Sequence, residues 1–177
     1  VRCTTPVGLG PWAGGDTYVD LAAEQIRSAT FNGTDIDVSG YDESTGVQLT
    51  GLAEHNVLVI DADCRYSNTG EGLHRFVDPV DDEVYLYSQF ETADAKRMFA
   101  CFDQPDLKAV FNVSVTAPAH WEVISNGATV EVVQAGAAKQ HTFAATPRMS
   151  TYLVALIAGP YARWDDVYSD AHGEIPL

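Results

Sequence analysis

The feature that most constrains this chain is a run in which apolar and polar residues alternate one for one. Leu58, Ile60, Ala62, Cys64 and Tyr66 alternate with Val59, Asp61, Asp63 and Arg65. Successive side chains on an extended backbone point to opposite faces, so a period of two fits a strand with one buried face and does not fit a helix. Phe111, Val113 and Val115 alternate with Asn112, Ser114 and Thr116 in the same way. Shorter β-prone runs occupy residues 18–22, 26–31, 121–124, 129–133 and 140–145. Asn32-Gly33 reads as a hairpin turn, because both residue types tolerate positive φ. Ser125-Asn126-Gly127 reads as a turn between the runs at 121–124 and 129–133 for the same reason. A hairpin-length gap containing Gly136 separates 129–133 from 140–145. Residues 152–158 are continuously apolar, the pattern of a strand buried on both faces. A short helix fits at residues 92–99. Residues 2–15, with four Gly and two Pro, are expected to be irregular. Several short strands at close spacing predict an all-β fold, an antiparallel saddle-like β-sandwich with at most that short helix.

With 177 residues, the chain suits one domain with a proper core. Its formal net charge of −15 argues against nucleic acid and against anionic membrane surfaces, both of which select basic faces. Such a charge favours a cationic substrate, and it also serves solubility. There is no run of 18 apolar residues, so no membrane span is expected. Cys3, Cys64 and Cys101 are an odd number without metal spacing. They read as buried reduced thiols of a cytoplasmic protein rather than as a secreted protein's disulfide pair.

The chemistry-bearing stretch runs from Tyr85-Leu86-Tyr87-Ser88-Gln89-Phe90-Glu91 to Cys101-Phe102-Asp103-Gln104-Pro105-Asp106. Positions i and i+2 of an extended chain point the same way, so Gln89 and Glu91 share a face, with Ser88 and Phe90 on the other. A carboxylate beside an amide suits an ammonium group next to a carbonyl. Two solvated edge residues would show the same spacing.

The resemblance carried by these residues is specific. Gln89-Phe90-Glu91, Arg97-Met98-Phe99 and the Cys101–Asp106 turn resemble the N-terminal domain of the zinc aminopeptidase N family, within the gluzincin aminopeptidases. Ser125-Asn126-Gly127 and the stretch from Met149 to Ala155 resemble the same domain in the same order. The likeness covers residues 15–177, and the acidic, Ala-rich character is similar to the actinobacterial enzymes. The resemblance implies that Gln89 and Glu91 reach an active site and bind the free α-amine and first residue of a peptide substrate. It further implies zinc in a catalytic domain of the same polypeptide.

The chain departs from the family in two respects. A zincin presents two His four apart on a helix as His-Glu-x-x-His. None of His55, His74, His120, His141 and His172 is followed by Glu, and no two are spaced for that motif. The family's Gly-x-Met-Glu-Asn strand is also missing. The expectation is a single N-terminal β-domain over residues 1–177 of a larger aminopeptidase, without the catalytic zinc domain. Such a chain would bind no zinc and be inactive alone. The stretch Gly173-Glu174-Ile175-Pro176-Leu177 resembles the linker into that domain. Gln89 and Glu91 should lie at a domain edge, with exposed apolar neighbours such as Phe90 or Tyr87.

Other candidates have plainer readings. Asp103-Gln104-Pro105-Asp106 is expected to form an Asx-type turn cap rather than a catalytic acid pair. Asp78, Asp81, Asp82 and Glu83 lack the glycine and ligand spacing of an EF-hand, and read as a solvated loop rather than a Ca²⁺ site. Arg97 and Lys108 flank the motif and are expected to anchor it by ion pairs. Trp12, Trp121 and Trp164 are scattered and fit core or rim packing. The alternative function is a stand-alone β-sandwich binding module for carbohydrate or protein, which has no need of the Gln89/Glu91 turn.

Overall fold

The computed structural model of the protein describes residues 1–10 and 14–176. The alternating run lies in β6 (Asn56–Cys64), where Leu58, Ile60, Ala62 and Cys64 are buried and the residues between them are not. Tyr66 falls beyond the strand and is exposed. β6 is flanked by β1 (Arg2–Leu9) and β3 (Ala23–Phe31), and β3 turns back into β4 (Thr34–Asp35). The turn is Asn32-Gly33 with φ of 50° and 80°, as the dipeptide predicts. The Asn32 side chain adds a bond of its own, accepting from the Val57 N–H at 2.8 Å.

β1 corrects the expectation of irregular chain at residues 2–15. It pairs with β6 from Arg2↔Asp63 to Leu9↔Asn56. Its Pro6 is accommodated because β1 is an edge strand, where a missing N–H breaks no inner ladder. Residues 11–13, and Trp12 with them, lie outside the described residues.

A second sheet has the order β10 (Glu122–Ser125), β13 (Leu156–Gly159), β8 (Val84–Gln89), β7 (Gly72–Val77). A third has β11 (Thr129–Ala135), β12 (Ala138–Phe143) and β9 (Ser114–Pro118). Two strand pairs complete the fold: β2 (Thr17–Val19) with β5 (Val47–Leu49), and β14 (Val167–Asp170) with β15 (Gly173–Pro176). All these ladders are antiparallel, in line with the all-β reading. The stretch at 92–99 contains only the 3-10 turn Ala95–Arg97.

Three other expectations change. The strand expected to begin at Phe111 starts at Ser114, because the Phe111 N–H is taken by the Thr146 hydroxyl at 3.0 Å. Ser125-Asn126-Gly127 does join β10 to β11, but the two strands belong to different sheets and neither Asn126 nor Gly127 takes a positive φ. Its glycine is needed for closeness, since a Cβ there would lie 2.2 Å from the Ala144 carbonyl oxygen. The apolar run at 152–158 splits into the 3-10 turn Thr151–Leu153 and β13, which buries Leu156 and Ala158 but leaves Ile157 exposed.

Burial gathers into three clusters. One joins β2, β3, β5 and β6 through Val19, Ala29, Leu49, Leu58 and Ile60. Another fills the space between the second and third sheets with Leu73, Leu86, Ala117, Val123, Phe143 and Leu156. The smallest contains Phe90, Ala95, Phe99, Cys101 and Val154. It lies directly under the Gln-x-Glu motif.

Candidate functional site

The motif sits where β8 leaves its sheet. Gln89 is the last residue of β8 and pairs with Gly72 of β7. Gln89 and Glu91 are exposed, whereas Phe90 between them is 1% exposed. Extended-chain alternation therefore continues one step past the strand. Phe90 corrects the expectation of an exposed neighbour: it is a plug, meeting Phe99 edge-to-face at 6.0 Å, and Phe99 meets Phe111 in the same way. Tyr87 is the exposed apolar neighbour.

The chain after Glu91 is fixed from behind. The Glu91–Thr92 peptide is cis. The Asp94 N–H donates to the Phe90 carbonyl at 3.1 Å. Arg97 donates through Nε to the Asp94 carboxylate and lies 3.6 Å from Glu71, so it anchors the turn as expected. Arg97 crosses β7 at Gly72, whose φ is +69° and where a Cβ would meet the Arg97 stem at 3.0 Å. Lys108 makes no ion pair among the described residues.

Asp103 differs from the local Asx cap expected of it. It is buried, and its carboxyl oxygens accept from the Lys96 N–H at 3.1 Å and the Thr151 hydroxyl at 2.8 Å. Its own N–H donates to Asp20 Oδ2 at 3.0 Å. The Ser150 hydroxyl donates to the Pro105 carbonyl, and the Leu156 N–H donates to Ser88 Oγ at 2.8 Å. Four separate stretches of chain thus converge on the turn behind Glu91. The motif is a rigid shelf with two polar side chains on its outer lip.

The acidic loop holds itself together. Asp78 Oδ1 accepts from the Val80 N–H, and Asp81 accepts from the Glu83 N–H and the Tyr85 hydroxyl. Among the described residues no cluster of three His, Cys, Asp or Glu has the arrangement to hold a metal ion. Trp121 is half-buried, and Trp164 is 84% exposed rather than packed. All three cysteines are free thiols, with Cys64 and Cys101 buried. No helix among the described residues is long and apolar enough to cross a membrane.

Sequence reasoning missed the outward face of the second sheet. Tyr85, Tyr87 and Gln89 are spaced by two and lie on one side, opposite Phe76, His74 and Gly72 respectively. Ile157 and Ile124 continue the Tyr87 row across the sheet. The spacing of Tyr85, Tyr87 and Gln89 carried this signal, but its meaning depends on which strands lie alongside.

The family described as the peptidase M1 N-terminal domain matches residues 18–153. The chain belongs to this family. The M1 N-terminal domain described here is 47% identical to the aminopeptidase N of Streptomyces lividans over 165 residues, which are 93% of this chain and 19% of that protein. It is 45% identical to aminopeptidase M1-A of Oryza sativa subsp. japonica, over 82% of this chain and 20% of that protein. The chain therefore spans about a fifth of the length of these relatives. Among solved structures, Legionella pneumophila aminopeptidase A in complex with aspartic acid superposes with a TM-score of 0.85 at 17% identity, over 99% of this chain and 21% of that one. That likeness shows a shared β-fold.

Proposed function

We propose that this chain is the substrate-recognition domain of a cytoplasmic zinc metalloaminopeptidase that removes N-terminal amino acids from peptides. It acts as a single domain over residues 1–177, covered in the parent enzyme by the catalytic domain of the same polypeptide. The observation that carries the reading is the exposed Gln89/Glu91 pair on a buttressed shelf, in a chain of this family. Glu91 binds the protonated α-amine, and Gln89 shapes the space for the first residue. A free amine loses water on entering a closed site, and a facing carboxylate recovers that loss through a charge-assisted hydrogen bond. Zinc, its activated water and the general base belong to the catalytic domain. The row of Tyr87, Ile157 and Ile124 beside Gln89 supplies an apolar face for that domain to cover.

Glu91→Gln in the full-length parent tests this. Loss of one partner of a buried charged pair costs on the order of 2–5 kcal/mol. We expect kcat/KM on aminoacyl substrates to fall roughly ten- to a thousandfold. Zinc content and Tm should be unchanged, because Glu91 is exposed in this domain. Wild-type kinetics would remove the amine-binding role. The isolated chain is expected to hold no zinc and to leave aminoacyl anilides intact; one tightly held zinc with chelator-sensitive turnover would overturn that.

A further inference from the structure

The outward face of the second sheet carries a groove of about 360 Å³ lined by His74, Phe76, Asp78, Tyr85, Tyr87 and Tyr161. Its walls are ordered rings. His74 and Tyr87 face one another across the β7–β8 ladder with centroids 4.8 Å apart, and Tyr85 meets Tyr161 edge-on at 5.0 Å. Gly159 makes this packing possible, since a Cβ there would lie 3.0 Å from the Val84 carbonyl oxygen and 3.2 Å from the Tyr161 ring. The Tyr161 hydroxyl reaches the Leu86 carbonyl at 3.4 Å, which holds its ring at the groove wall.

The ionisable side chains that line the groove are Asp78, His74 and three tyrosines. At its rim, Asp81 accepts a hydrogen bond from the Tyr85 hydroxyl. No Lys or Arg lines it. Aromatic faces carry negative quadrupole potential and attract ammonium and guanidinium groups, more strongly when water is displaced. A carboxylate at the end of the same groove supplies the matching ionic partner. Among ligand classes, a cation answers both the rings and the acid.

We propose that this groove receives a basic side chain, a guanidinium or alkylammonium group, from the part of the parent polypeptide that covers the sheet face. The proposal rests on the reading that the catalytic domain covers this face. The groove adjoins the Gln89 lip, because Tyr87, which lines it, and Gln89 are two residues apart on one side of β8. Most of the length of the relatives lies outside the span this chain matches, and a parent of that length would have the polypeptide to supply the side chain. In this arrangement the basic residue positions the covering domain relative to Gln89 and Glu91 and takes no part in chemistry.

The test uses the 177-residue chain in backbone-amide NMR, titrated with Nα-acetyl-arginine amide and, separately, with its uncharged isostere Nα-acetyl-citrulline amide. The arginine probe should give saturable shifts at residues 74, 76, 85, 87 and 161 in the millimolar range, at least tenfold tighter than citrulline. Tyr87→Ala should abolish saturation, and Asp78→Asn should weaken it about fivefold with the fold intact by the remaining shifts. Equal responses to both probes, or no saturation, would overturn the cation assignment. Methyl glucoside shifting the same residues with the arginine probe silent would overturn it in favour of a sugar. A dimer at the titration concentration that Tyr87→Ala dissolves would overturn it in favour of a second copy. None of these outcomes touches the Glu91→Gln kinetics, so the two readings fail separately.

Discussion

Asp103 and Thr151, 48 residues apart in sequence, meet in the interior, with the threonine hydroxyl donating to Asp103 Oδ1 at 2.8 Å. Both are buried, and the other carboxyl oxygen of Asp103 takes the Lys96 N–H. One side chain thereby ties the 3-10 turn after Glu91 to the 3-10 turn before β13. Asp103→Ala would leave a hydroxyl and an amide without partners. The expected loss is about 1.5–3 kcal/mol, more than Thr151→Val, read from urea unfolding. A loss under half a kilocalorie would show that water replaces the carboxyl without cost.

Phe90 separates the two polar residues of the motif and fills the smallest core cluster. Phe90→Ala should destabilise the domain by about 3–5 kcal/mol, while Phe90→Leu should cost much less because it keeps most of the volume. In the parent enzyme, Phe90→Leu should also lower kcat/KM, since Gln89 and Glu91 are aimed by the residue between them. Denaturant unfolding and steady-state kinetics on the same two variants check this. Unchanged kinetics with reduced stability would confine Phe90 to a packing role.

Gln89 is exposed at the end of β8, where its amide is free to meet a neighbouring group. Gln89→Ala in the parent should change overall rate less than Glu91→Gln and alter the ranking of first residues more. The measurement is kcat/KM over a small series of aminoacyl substrates. A uniform decrease across the series would assign Gln89 to the amine rather than to the side-chain space.

The thiols make stability fall at high pH. Burial pushes the Cys64 thiol from its ordinary value near 9 up to about 12, and burial raises Cys3 and Cys101 in the same direction. In the unfolded chain these groups lose their protons near pH 9, whereas the folded chain retains them. The stabilisation is complete below that pH and is lost as pH rises towards 12. Unfolding free energy measured from pH 8 to 11 should decline, and Cys64→Ala should flatten the slope. The same burial should keep native Cys64 and Cys101 unreactive to disulfide reagents at pH 8, since the thiolate is the nucleophile. Fast labelling of either in the folded protein would show that its cover opens.

The sequence alone determined the β character, because alternation at 58–64 depends only on which faces of an extended chain meet water. It also determined the Asn32-Gly33 hairpin, where local backbone chemistry suffices, and the opposed directions of Phe90 and the Gln89/Glu91 pair. Family membership was legible for the same reason: the motif residues are contiguous. Tertiary structure alone decided what no local signal contains. β1 is a strand despite Pro6 because it lies at an edge, and Gly127 serves a close approach to Ala144 rather than a positive φ. Asp103 looked like a turn residue and is a buried tie, since Lys96 and Thr151 reach it only when distant segments pack. The aromatic groove belongs to the same class, as Tyr85 and Tyr87 acquire walls only when β7 and Tyr161 are laid beside them.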